Sequence, residues 1–301
     1  MTVSIPPTQV RLSWWLPGLL LLILFSLSAC QPVQAPAASA IPEFTIVVSD
    51  DAVSAPKVVP GGIVRVTIQN NGSIPMDIGL ARVLDGSTRE EVIALAQGGE
   101  ETFIPLLTKA SFLGGFTPIA PGSERWAYVD LRTGVFVVDA TEHVEGAPMA
   151  DAPHLNATFT ANEIVGTTKP AADVAVDMAD FAYVMPDEIP TGPQLWEYTN
   201  SGEQWHMMFV LTLAEGATVE DVMAFLGDPM MAPPGPPPFE FAPDAGIPPI
   251  GVGERVWLQS NLAPGEYLVG CPLPDVAAIF AGEMPMSHME HGMVKMIKVV
   301  E

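Results

Sequence analysis

The chain has 301 residues, 49% of them hydrophobic, with 31 prolines and a formal net charge of −23. That length allows two ordinary domains with real cores. A surface this acidic repels nucleic acid and anionic membranes, which excludes a DNA- or RNA-binding role; it suits a basic protein partner or a cation, or serves solubility alone.

Within residues 1–29, Arg11 is the only charged side chain. The run "LSWWLPGLLLLILFSLSAC" follows it, apolar and ending in small residues before Cys30. A lasting membrane span usually needs about 20 apolar residues and a basic flank after them, so residues 1–29 read as a secretory signal peptide, with an uncleaved membrane anchor as the alternative. "LSAC", Leu27 to Cys30, resembles the bacterial lipobox. That resemblance implies lipidation of Cys30, a membrane tether through the N-terminus and a place on the extracytoplasmic face of the cell envelope. Residues 30–42, with "QPVQAPAASAIPE", form a Pro/Ala-rich tether without a core-forming pattern. Cys271 is then the one thiol left, in a compartment where thiols tend to pair. It is either a small apolar filler or a metal ligand.

The remainder repeats itself at an offset of 130 or 131 residues. "MDIGLARVLDGSTREEVIALA" from Met76 lines up with "HMMFVLTLAEGATVEDVMAFL" from His206, and "GSERWAYVDLRTGVFVVDA" parallels "VGERVWLQSNLAPGEYLVGC". Gly86 meets Gly216, Thr88 meets Thr218, and Ala140 meets Cys271. Most of each repeat reads as alternating, β-rich runs between Gly, Pro and Asn turns, the pattern of antiparallel sandwiches. One helix is expected in each, N-capped by Thr88 or Thr218 with acidic residues in its first turn. The sequence therefore predicts an all-β protein of two tandem sandwich domains, 43–165 and 174–301, joined by a linker over 166–173. "PPGPPP", Pro233 to Pro238, is a stiff insertion inside the second domain.

The second repeat carries an ordered set of soft donors. His206 opens an apolar strand, Cys271 ends "PGEYLVGC", and "HMEHGMVKMIKV" sets His288 five residues before Met293. This pattern resembles the cupredoxins, the type 1 blue copper proteins, over about 130 residues; the first repeat shares only the fold. The resemblance implies Greek-key sandwiches and one copper ion held by His206, Cys271, His288 and Met293. A thiolate and two imidazoles make a compact trigonal site acceptable to both copper oxidation states, and a weak methionine tunes the potential. Between Cys271 and His288 the loop "PLPDVAAIFAGEMPMS" must fold back, which its length permits because closure entropy grows slowly. His291 is either an alternative to His288 or a histidine at the rim. Met284, Met286 and Met289 either pack over the site or form a separate thioether site for Cu(I).

In the first repeat, Met76 and Ala140 stand where His206 and Cys271 stand. His143 and His154, with Asp139, Glu142 and Glu145 near the former, make either a hard-metal site or a solvated loop. That domain reads as a spacer or docking surface. No nucleophile elbow, HExxH or phosphate loop is found, and 5 histidines cannot furnish a trinuclear copper cluster as well as this site. The expected function is one-electron transfer with a basic redox partner, by a carrier rather than an enzyme. Copper capture and delivery, or a metal-free interaction module, are the alternatives.

Overall fold

Alternation along each strand decides which side chains meet. In the computed structural model, Val64, Val66 and Ile68 of the third strand are buried while Arg65 and Thr67 between them are half-buried. The period of two turns one row of that strand into the core, and each such side chain contributes about 1.5–3 kcal/mol on burial. The structure describes residues 41–143, 153–227, 235–242 and 245–301. The signal peptide 1–29, Cys30, nearly all of the tether 30–42, Glu145 and the start of "PPGPPP" lie outside the described residues. Among those described, no helix is long and apolar enough to cross a membrane.

The first half contains β1 (Glu43–Val48), β2 (Val53–Ser54), β3 (Val58–Asn70), β4 (Met76–Val83), β5 (Ala110–Ile119), β6 (Glu124–Leu131), β7 (Gly134–Glu142) and β8 (His154–Gly166). The second contains β9 (Val174–Ala179), β10 (Ala182–Val184), β11 (Glu188–Pro190), β12 (Gly192–Asn200), β13 (His206–Leu213), β14 (Phe239–Phe241), β15 (Ile247–Ile250), β16 (Arg255–Leu262), β17 (Gly265–Gly270) and β18 (Val294–Val300). Helices are few and short: α1 (Arg89–Ala96), α2 (Glu100–Leu107), α3 (Val219–Gly227) and α4 (Val276–Ala281). The all-β expectation is met. Among the described residues each half holds two helices, one more than its sequence pattern suggests: α2 follows α1 after a short break, and α4 sits inside the loop after Cys271.

The expected caps are present. Thr88 accepts from the Glu91 amide while Glu91 reaches back to the Thr88 amide, a reciprocal capping box. Thr218 and Asp221 repeat the arrangement for α3.

The strands form two sheets that run through both halves. One follows the order β2-β1-β3-β6-β16-β12-β9-β10. The other follows β8-β7-β4-β5-β15-β13-β17-β18-β11, with the start of β3 beside β8 and β14 beside β13. β3 passes from one sheet to the other at Gly61 and Gly62, where its register against β8 shifts. A Cβ on Gly62 would lie 2.2 Å from the Gly166 carbonyl oxygen, and its φ of 86° favours glycine independently.

Equivalent strands meet where the halves join. β6 pairs antiparallel with β16, and Ala127 lies opposite Leu258, its own mate in the duplication. The join therefore has local twofold symmetry. One buried carboxylate locks it: Glu254, 1% exposed, accepts from Arg82 Nη2 at 2.9 Å and from Ser111 Oγ at 2.7 Å, both on the other half. Removing one partner of such a pair leaves a charge and a hydroxyl uncompensated. Glu254→Ala is expected to lower unfolding stability by about 3 kcal/mol in urea titrations. A loss under about 0.5 kcal/mol, the scale of an ordinary surface substitution, would show that the pair does not hold the halves together.

Candidate metal centre

Three chain segments bring the donors together. His206, Met208 and Val210 form the buried row of β13, so the strand's pleat turns His206 inward at its first position. On the neighbouring strand, Tyr267, Val269 and Cys271 form a second row in the same apolar cluster. His288 returns on the long loop. That loop closes as a hairpin: Asp275 donates its amide to Met286 O at 2.8 Å, His288 donates to Leu273 O at 2.8 Å, and Pro274 bridges Ser287. Asp275 caps α4 at the hairpin's tip, and Gly282 ends that helix in the left-handed region. The loop's length is absorbed by regular structure, which is how His288 reaches Cys271.

His206, Cys271 and His288 are all fully buried, and their donor atoms lie within 4.8 Å of one another. His206 Nδ1 is 3.1 Å from His288 Nδ1, and His288 Nδ1 is 3.4 Å from Cys271 Sγ. Donors bound at about 2.0–2.3 Å to one ion in a trigonal array stand about 3.5–4 Å apart, so the spacing fits a shared cation after small adjustments. Met293 is buried in the same cluster; its amide donates to His288 O at 2.8 Å, and its carbonyl accepts the Cys271 amide at 3.2 Å. His291 is not part of the trio. It remains 29% exposed, contacts Asp275 at 3.4 Å and stacks on Phe181 with ring centroids 4.4 Å apart.

Asp180, at the turn between β9 and β10, is the residue that sequence reasoning missed. Its Oδ1 lies 2.9 Å from His206 Nε2, and its carboxylate accepts the Glu203 and Gln204 amides. With the Nε2 proton given to Asp180, the lone pair of His206 sits on Nδ1 and faces the other donors. Gly202 makes room, since a Cβ there would lie 2.2 Å from Asp180 Oδ1 and 2.7 Å from His206 Nε2. A signal was present in the duplication: Asp50 stands at the matching place and accepts the Ser73 amide at 2.6 Å.

The surroundings are dry. Burial, above all, pushes the His288 pKa down to about 4, with the neighbouring His206 acting in the same direction. Burial likewise lowers His206 despite Asp180, and it pushes the Cys271 thiol up to about 11 even though the Met207 amide points at the sulfur. Neutral imidazoles are ready donors, and a cation would stabilise the thiolate that burial disfavours. Phe181, with a left-handed φ of 59°, packs edge-on against His288. Met289, 2% exposed, lies against Gly270 beside Cys271. Met284 and Met286 are 91% and 45% exposed, so they do not form the apolar lid that their composition suggested.

Among the described residues, the first half holds no such trio. Met76 and Ala140 are buried filler, while His143 pairs with Asp77 at 2.9 Å and His154 with Asp139 at 2.9 Å. Among the described residues, no group of three metal-binding side chains forms there.

No family model and no curated protein matches the chain. Solved structures do show likeness. The dithionite-reduced auracyanin of the photosynthetic bacterium Roseiflexus castenholzii is 21% identical, with 42% of this chain and 94% of that one covered and a TM-score of 0.28. Auracyanin B is 17% identical over 46% and 94% of the two chains, with a TM-score of 0.28. A multicopper oxidase is 14% identical over 86% and 88%, with a TM-score of 0.23. Likeness at this level decides nothing about chemistry; the donor set has to.

Two outcomes test the geometry. The metal-free protein should lose stability as pH falls from about 6.5, the unfolded histidine value, to about 4, because the unfolded chain binds a proton that buried His288 refuses. The loss approaches about 3 kcal/mol, and His288→Phe should flatten the slope; an unchanged slope would contradict the neutral, buried imidazole. Asp180→Asn should weaken divalent metal binding about 10–100-fold in competition titrations, as expected when a histidine loses its orienting partner.

Proposed function

We propose that the protein is a lipid-tethered electron carrier of the cell envelope, with a single type 1 copper in its second half. His206, Cys271 and His288 would hold the ion, and Met293 would be its weak fourth ligand. The observation that carries this reading is the convergence of two Nδ1 atoms and one thiol in a fully buried site. That donor set is soft enough for Cu(I) and nitrogen-rich enough for Cu(II). When bound, copper supplies a one-electron couple. The chain supplies everything else. Strands β13 and β17 fix His206 and Cys271, so neither needs to move when charge changes. Asp180 holds one imidazole in its binding tautomer, while Phe181 packs edge-on against the other.

The partner in this reading is a basic redox protein, drawn by a chain of net charge −23. The tether would be lipid on Cys30, outside the cytoplasm. A second reading, copper capture and delivery, draws on Met284 and Met286, whose thioethers are exposed near the site-forming loop.

Titration with Cu(II) separates these readings. The carrier should take up one copper per chain with intense blue absorption, and Cys271→Ser should abolish the colour. Met293→Leu should keep the copper and raise the reduction potential, since it removes a weak bond and dries the site. His291→Ala should leave colour and potential nearly unchanged. In a parallel titration with Cu(I), colourless uptake of more than one ion, lost on replacing Met284 and Met286, would favour delivery instead.

A further inference from the structure

The two halves use the outer face of their shared sheet differently. In the second half that face is filled by Leu211, Phe239, Leu268 and Met289 beneath α3, with Phe209 and Phe225 packed against them. In the first half, a cavity of about 410 Å³ lies between the sheet and helices α1 and α2. The duplication explains the hollow. Gly79 takes the place of Phe209, and a Cβ built on it meets nothing within 4 Å. The walls are almost wholly apolar, with Val92, Leu95, Phe103 and Leu106 from the helices and Phe112 and Val137 from the strands.

One end of the cavity is polar. His154 lines it with only 9% of its side chain exposed, and its Nδ1 donates to Asp139 at 2.9 Å. The other ring nitrogen, Nε2, is buried and has no hydrogen-bond partner. A buried polar atom left unpaired costs about 1–3 kcal/mol, so a ligand that pairs it gains correspondingly. Asp139 engages the ring and raises its pKa against the opposing effect of burial. Asp139 also accepts from Asn156 at 2.5 Å, and Asp77, at the same end, is held by Thr117 and His143. Two carboxylates beside the histidine disfavour an anionic ligand. A hydroxyl suits the site better, because it can donate to a bare Nε2 or accept from a protonated one.

We propose that this cavity is a binding site for an uncharged aromatic alcohol, its ring among the apolar walls and its hydroxyl on His154 Nε2. A cavity of this size, apolar with one convergent polar group, is typical of small-molecule sites. Nothing in the proposal depends on copper, so it stands or falls apart from the electron-carrier reading.

The test uses the full chain, with 2-naphthol and naphthalene as probes, followed by isothermal titration calorimetry. 2-Naphthol should bind saturably, about tenfold more tightly than naphthalene, the difference expected for one buried hydrogen bond. Gly79→Leu, which fills the hollow where no atom stands in the way, should abolish binding of both while the circular dichroism spectrum stays the same. His154→Phe should bring the two probes to equal affinity. Should naphthalene bind wild-type protein as tightly as 2-naphthol, the role of His154 is overturned. Failure of 2-naphthol to saturate, or its undiminished binding to Gly79→Leu, would overturn the site itself.

Discussion

Position 200 sets the geometry on which the candidate centre depends. Asn200 is fully buried at the end of β12, where an amide side chain must find partners for both its ends. It donates to the carbonyls of Gln204 and Ile250 and accepts the Gly202 amide. Those bonds shape the turn that delivers His206 to the start of β13 and tie it to the end of β15. Asp180 closes the same turn from outside through the Glu203 and Gln204 amides, and only then reaches His206 Nε2. The turn and the His206 tautomer are thus specified by one hydrogen-bond network. The first half repeats the scaffold, with Asn70 bonded to Ile74 and Ile119 and Asp50 bonded to Ser73. There it presents Met76. The duplication supplies a rigid turn twice, and a histidine follows it once.

Much of this was legible before folding. The repeat and the strands with clean alternation could be read from residue type and spacing, and the resemblance to the cupredoxins singled out His206, Cys271 and His288, which the fold brings together. What escaped depends on partners far apart in the chain. Asp180 lies 26 residues before His206 and looks like any acidic turn residue until β9 and β12 pair. β5 was obscured by its paired glycines, and β8, "HLNATFTANEIVG", by a polar composition that becomes strand only against β7 and β3. Helix α4 hid inside a loop whose proline, glycine and methionine content suggested irregular chain. Met284 and Met286 misled in the other direction: hydrophobicity alone cannot tell a buried thioether from an exposed one, and only Met289 of that group turned inward.

The join between the halves has a consequence for both of their sites. Because both sheets continue across it, Pro248 and Pro249 of β15 in the second half help line the cavity of the first. β15 is also hydrogen-bonded to β13, the strand that carries His206. The same short strand therefore touches the turn that positions one site and the wall that bounds the other. Its pairing with β5 is brief, Ile250 against Leu113, so much of the rigidity comes from the neighbouring ion pair at Glu254 and from Phe112 packed edge-on against Trp205 at 4.7 Å. Interfaces of this kind, with one charged lock inside apolar packing, resist sliding because any shift separates buried charges.

If an electron is to enter or leave the buried trio, some contact must lead outward. Fully buried donors exclude water but also hold a partner at a distance. The aromatic contacts of Phe181 narrow that gap: it meets His288 at 5.2 Å and His291 at 4.4 Å, and of the two histidines only His291 is partly exposed. The left-handed backbone at Phe181 is an uncommon conformation for a bulky side chain, and the structure retains it where the ring bridges the two histidines. His291 is thereby fixed as a rim residue, braced by Asp275 and stacked on Phe181, while the inner donors keep their dry setting. The division between a buried inner ring, His288, and an outer one at the surface, His291, follows from which side of Phe181 each occupies.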